Sequence, residues 1–124
     1  MIYLDTHITV WLYAGQIEKL STKATVLLNE NEILVSPIVR LELQYLLDIK
    51  WITETPDNII SDLSNSIGLK ICDKAFNNIT NFSMKIDWTR DPFDRLIVAN
   101  AAVQDDYLIT KDQTILNHYS NFLY

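Results

Sequence analysis

Apolar runs of about three residues alternate along this chain with longer stretches in which apolar side chains return every three or four positions. The short runs are Ile2-Tyr3-Leu4, Ile33-Leu34-Val35, Leu69-Lys70-Ile71 and Tyr107-Leu108-Ile109, and each reads as a strand. Between them the spacing predicts helices. One starts at Thr6 with Ile8, Trp11 and Leu12 inward and stops at Gly15; a second is capped by Ser21 and carries Ala24, Leu27 and Leu28. A third runs from about Pro37 to Ile49 with Ile38, Leu41, Tyr45 and Leu46 on one face. Thr55-Pro56 opens a helix over Ile59, Ile60 and Leu63, and Lys74 to Met84 forms another with Phe76, Ile79 and Phe82 inward. A short helix from Asp112 carries Ile115 and Leu116, and Phe122-Leu123-Tyr124 is expected as a last strand. Such alternation implies an α/β fold, a mainly parallel sheet of four or five strands with helices on both faces.

The remaining helix carries the chemistry. In the stretch from Arg90 to Ala102, Asp91 suits the N-cap and Pro92 the first helical position, where its fixed φ and missing N–H cost nothing. Asp94 then falls in the first turn. By itself this is ordinary helix-start chemistry, worth about 0.5–2 kcal/mol for the cap. Three further acids change the picture. Asp5 ends the first strand, Asp112 lies just past the strand at 107–110, and Glu42 sits on the third helix at the edge of its apolar surface. Ligands of open parallel sheets bind beyond the carboxyl ends of the strands, so Asp5, Glu42, Asp94 and Asp112 are all expected on one rim.

Composition narrows the chemistry. The 124 residues make one domain, 1–124, without repeat or linker. No apolar run approaches the roughly 20 residues of a membrane span. No basic region precedes a long apolar stretch, so no signal peptide is expected. A single Cys72 excludes an internal disulfide and fits a reducing, cytoplasmic setting. With one Cys and two His, a zinc site is disfavoured, and any metal would be a hard ion held by oxygen. The net charge of −6 argues against broad electrostatic binding of nucleic acid, but not against an enzyme that meets phosphate through bound cations. It also favours a basic partner segment.

Carboxylates about 5 Å apart repel by roughly 3 kcal/mol at an effective dielectric near 20. A rim that gathers four needs cations or must keep some protonated. Mg²⁺ or Mn²⁺ suits such a donor set and activates water against a phosphodiester without a side-chain nucleophile. No Ser–His or Cys–His arrangement competes, and His7 and His118 read as surface or packing residues.

These residues carry a resemblance. Ile2-Tyr3-Leu4-Asp5-Thr6-His7, Leu41-Glu42-Leu43, Arg90-Asp91-Pro92-Phe93-Asp94-Arg95-Leu96-Ile97 and Leu108-Ile109-Thr110-Lys111-Asp112 resemble the motifs of PIN-domain nucleases, in particular VapC-type toxins of bacterial toxin–antitoxin pairs. The resemblance spans nearly the whole chain and implies a strand order of 3-2-1-4-5. It implies Mg²⁺ or Mn²⁺ held by Asp5, Glu42, Asp94 and Asp112, with Thr6 and Thr110 bonding the ligating carboxylates and Asp91 a helix cap first and an outer-shell acid second. It also implies RNA cleavage, homodimerisation and inhibition by a VapB-like antitoxin whose tail occupies the acidic cleft. The residues near Pro37-Ile38 and a short tail after Asp112 depart from the family pattern.

Two other classes stand beside the endoribonuclease. A phosphatase-like or phospho-acceptor domain would use a strand-end Asp with Thr110 and Lys111, but gives Glu42 no role. A non-catalytic interaction module would not need four intact acids. Arg40, Lys85, Arg90, Arg95 and Lys111 are candidate phosphate contacts or plain surface charges. Trp11, Tyr45, Trp51 and Trp88 are candidate stacking residues, with packing or interface roles the simpler expectation.

Overall fold

Ile2, Tyr3 and Leu4 are buried in succession, so the strand they form, β1, is covered on both of its faces. The computed structural model describes residues 1–120 and the backbone of 122–123. The parallel sheet runs β3(Lys70–Ile71)–β2(Ile33–Val35)–β1(Ile2–Leu4)–β4(Tyr107–Ile109)–β5(Phe122–Leu123), the order expected from the resemblance. Tyr124, placed in the last strand by the apolar pattern, lies outside the described residues. Among the described residues, seven helices connect the strands: α1(Thr6–Tyr13), α2(Thr22–Glu30), α3(Pro37–Asp48), α4(Pro56–Ile67), α5(Phe76–Ser83), α6(Pro92–Ala102) and α7(Gln113–His118), with one 3₁₀ turn over Ile17–Lys19.

The helix starts follow the local chemistry read from the sequence. Asp5, Ser21, Ser36, Thr55, Asp91 and Asp112 are N-caps whose side-chain oxygens accept backbone N–H groups of the first turn. Pro37, Pro56 and Pro92 each follow a cap as the first helical residue. Gly15, just beyond α1, takes φ +74°, a left-handed conformation that suits glycine where a helix ends.

Register sets the functional rim. Leu4 pairs with Val35 on one side and Ile109 on the other, and Val35 pairs with Ile71, so the carboxyl ends of four strands lie side by side. The chain winds outward from β1 through β2 to β3, then returns to place β4 against the other edge of β1. The reversal point therefore falls between β1 and β4, where Asp5 and Thr110 emerge.

Two expectations about packing are corrected. On α3 Leu46 is buried and Ile38 packs on the core as expected, but Leu41 and Tyr45 are 57% and 53% exposed, and Val39 and Leu43 are buried in their place. Apolar residues occupy almost the full circumference of α3, and two series at helical spacing compete for the core; contacts with α6, α4 and α1 select the second. On α5, Ile79 is buried and Phe82 packs on the core, but Phe76 is 66% exposed. The helix starts two residues later than expected, because Lys74 is engaged elsewhere. Its ammonium donates to the Asn100 carbonyl at 2.8 Å and meets Asp106 at 3.4 Å, leaving Phe76 in an opening turn beyond the core's edge.

Candidate active site

At the reversal point the backbone N–H of Asp5 donates to the Ile109 carbonyl at 3.1 Å, continuing the β1–β4 pairing by one residue. The next side chains meet directly. Thr110, fully buried, donates its hydroxyl to Asp5 Oδ2. The same hydroxyl oxygen accepts the Asp112 N–H at 3.0 Å, so one side chain orients two acids. Asp5 Oδ1 accepts the Ile8 N–H at 2.9 Å as the cap of α1. At the first position of α1, Thr6 donates to Glu42 Oε1, joining the first helix to α3. Asp112 caps α7 through Oδ1, which accepts from Thr114 at 2.9 Å and Ile115 at 3.1 Å, and Asp91 caps α6 through Phe93 at 2.8 Å. The positive ends of α1, α6 and α7 thus reach the same rim and offset part of its negative charge.

These elements enclose a pocket of about 360 Å³. Asp5, Glu42, Asp91, Asp94 and Asp112 line it together, with Thr6, His7, Trp11, Ile97 and Lys111 completing its wall. The four acids singled out from the sequence share this one cavity. Asp91 is both a cap and a pocket residue. His7, Trp11 and Ile97 as pocket walls were not legible beforehand, although the helix start after Asp5-Thr6 carries His7 to the same rim.

Electrostatics single out two carboxyls. Burial pushes Asp5 up to about 6, against the opposing bonds from Thr110 and Ile8. Asp94 rises to about 7, first through burial and then through the nearby charges of Asp91, Asp112, Glu42 and Asp5. Asp94 is thus the residue that feels every other acid of the pocket. Among the described residues, no three Asp, Glu, His or Cys side chains are drawn together into a ready-made ion cage. The donors the pocket offers are carboxylate oxygens with hydroxyls behind them, a set that fits a hard divalent cation and gives a soft one no sulfur ligand.

The remaining candidates fall outside this cluster or on its margin. Arg40 pairs with Asp57 at 3.3 Å on the surface, and Arg95 Nε donates to the Thr89 carbonyl at 2.7 Å, bracing the loop before α6. Trp88 stacks on His118 at 4.9 Å, and Trp51 meets His7 edge-on at 5.2 Å.

A parallel sheet whose reversal point is ringed by carboxylates on helix N-termini defines a class of α/β domain built for work at that crevice. The chain belongs to the PIN domain family, whose model matches residues 2–120. No curated protein matches it. Among solved structures it is similar to VapBC2 from Rickettsia felis bound to a DNA fragment from their promoter, at 20% identity and a TM-score of 0.67, covering 99% of this chain and 96% of that one. That likeness shows the fold.

Proposed function

We propose that the protein is a divalent-metal-dependent endoribonuclease and the toxin of a VapBC-type toxin–antitoxin pair. The observation that carries this reading is the position of Asp94, raised to about 7 by burial and by four other carboxylates facing the same pocket. A protein that holds such a cluster at some cost in stability has a use for its charge. Asp5, Glu42, Asp94 and Asp112 would hold Mg²⁺ or Mn²⁺, which supplies Lewis acidity to a phosphodiester and to the attacking water. The chain's own residues prepare that event. Thr110 fixes the Asp5 carboxylate, Thr6 fixes Glu42, and the helix caps orient Asp112 and Asp91.

The substrate is RNA presented as an unpaired segment, the form in which RNA is most often recognised. The partner reading draws on the VapBC2 likeness and on the exposed apolar side chains Leu41, Tyr45, Ile49 and Trp51, which leave surface for a second copy and for a VapB-like antitoxin. Among the described residues no helix is long and apolar enough to cross a membrane. The phospho-acceptor alternative is disfavoured because it needs an accessible nucleophilic carboxylate. Asp5 is 7% exposed, and both of its oxygens accept hydrogen bonds.

The test is incubation of purified protein with total RNA and Mn²⁺, followed by mapping of new ends. Discrete cleavage that EDTA and Asp94→Asn both abolish supports the reading. RNA left intact under these conditions, or cleavage that persists in Asp94→Asn, contradicts it.

A further inference from the structure

Lining the same pocket as the carboxylates is an indole with two ammonium groups at its ring. Trp11 is the tryptophan of the pocket wall, half-buried, with part of its surface packed on the core. Lys19 Nζ lies 4.9 Å from its ring centroid and Lys111 Nζ 5.7 Å. Cations are scarce in this chain, 10 Lys and Arg against 16 Asp and Glu, so two at one aromatic ring beside an acidic pocket need a reason. The other two tryptophans are engaged with histidines, Trp88 face to face with His118 and Trp51 edge-on with His7.

We infer that Trp11 is a base-stacking platform that seats an unpaired nucleotide beside the phosphate to be cut, with Lys19 turning outward to a flanking phosphate and Lys111 adding positive charge in the pocket wall. The inference rests on the endoribonuclease reading and assigns the substrate-facing half of the same pocket. Single-stranded nucleic acid is held in general by this pairing of aromatic faces, which accept any base, with cations that follow the backbone. The cation–π attraction at an exposed ring is weak, so a stacked base displaces the Lys19 ammonium readily. The arrangement divides labour across the pocket: the carboxylates act on the phosphodiester, and the indole sets where along the strand that phosphodiester lies. Trp11 is therefore a positioning residue, and its loss shows in substrate binding ahead of turnover.

The experiment uses the full chain carrying Trp51→Phe and Trp88→Phe, so that indole emission reports Trp11 alone. Titration with a short unstructured RNA of mixed sequence, in Ca²⁺, is expected to quench that emission, and a duplex of the same sequence is expected not to. In the otherwise native chain, Trp11→Leu keeps an apolar side chain for core packing and is expected to raise KM for the RNA about tenfold or more, with kcat within a few-fold. Trp11→Phe, which retains a ring face, restores most of the loss. Cleavage by the native chain with neither the quench nor the KM change overturns the platform alone. Absence of any RNA cleavage overturns the endoribonuclease reading and the platform with it.

Discussion

The Thr110 hydroxyl donates to the Asp5 carboxylate across the boundary between β4 and β1, two residues separated by most of the chain and joined where the sheet reverses. The same oxygen accepts the Asp112 N–H, so Thr110 couples the acid at the end of β1 to the acid that starts α7. Removing it affects both. Thr110→Val retains shape and deletes the donor, and is expected to cost about 1–3 kcal/mol in urea unfolding, because a buried carboxyl loses its partner. The same change weakens Mn²⁺ binding, and Thr110→Ser recovers both properties.

The raised carboxyls give the metal-free protein a definite pH dependence. Asp5 at about 6 and Asp94 at about 7 lie above the 3.8 of an ordinary aspartate, so between these values the folded chain retains protons that the unfolded chain releases. Stability from these groups is therefore complete at low pH and lost as pH rises through 6 to 7. In EDTA, Asp94→Asn removes one such group. Its melting temperature relative to wild type is expected to rise from pH 5 to about pH 7 and to level off above that. A difference that stays flat across that range contradicts the placement of Asp94 among the other acids.

Asp112 has two separable duties. One oxygen caps α7 through Thr114 and Ile115, and the side chain also faces the pocket. Asparagine caps as well as aspartate, whereas alanine loses about 1 kcal/mol. Asp112→Asn is expected to abolish RNA cleavage with the metal-free melt nearly unchanged, and Asp112→Ala to lose both. Equal destabilisation by the two would mean that the cap is not what the carboxylate contributes to folding.

Leu41 and Tyr45 stand outside the core, so replacing both with lysine is expected to change protomer stability by no more than about 0.5 kcal/mol per site. Sedimentation of the double variant is expected to show loss of self-association. An oligomer that survives the change places the interface elsewhere.

Much of this was legible in the residues. Buried three-residue strands announce themselves as apolar runs closed by Asp5 and Ser36, and Asp91-Pro92 marks a helix start by backbone chemistry alone. Asp5, Asp94 and Asp112 could be placed because each sits where a strand ends or a helix begins. The face of α3 could not, since its side chains offer two apolar series and only the neighbouring helices decide between Leu41 and Leu43. Spacing alone turns Phe76 inward, but Lys74 stays outside α5 with long-range partners that local spacing does not encode. Trp11, His7 and Ile97 as pocket walls depend on how α1 and α6 meet across the sheet, which no local pattern carries.

The most direct measurement is Mn²⁺ binding followed by the loss of the free-ion resonance in electron paramagnetic resonance at pH 7.5. Native protein is expected to take up the ion and Asp94→Asn to take up little or none, with a matching rise in melting temperature for the native chain alone. An undiminished free-ion signal with native protein, or equal uptake by Asp94→Asn, would show that these carboxylates do not form a cation site.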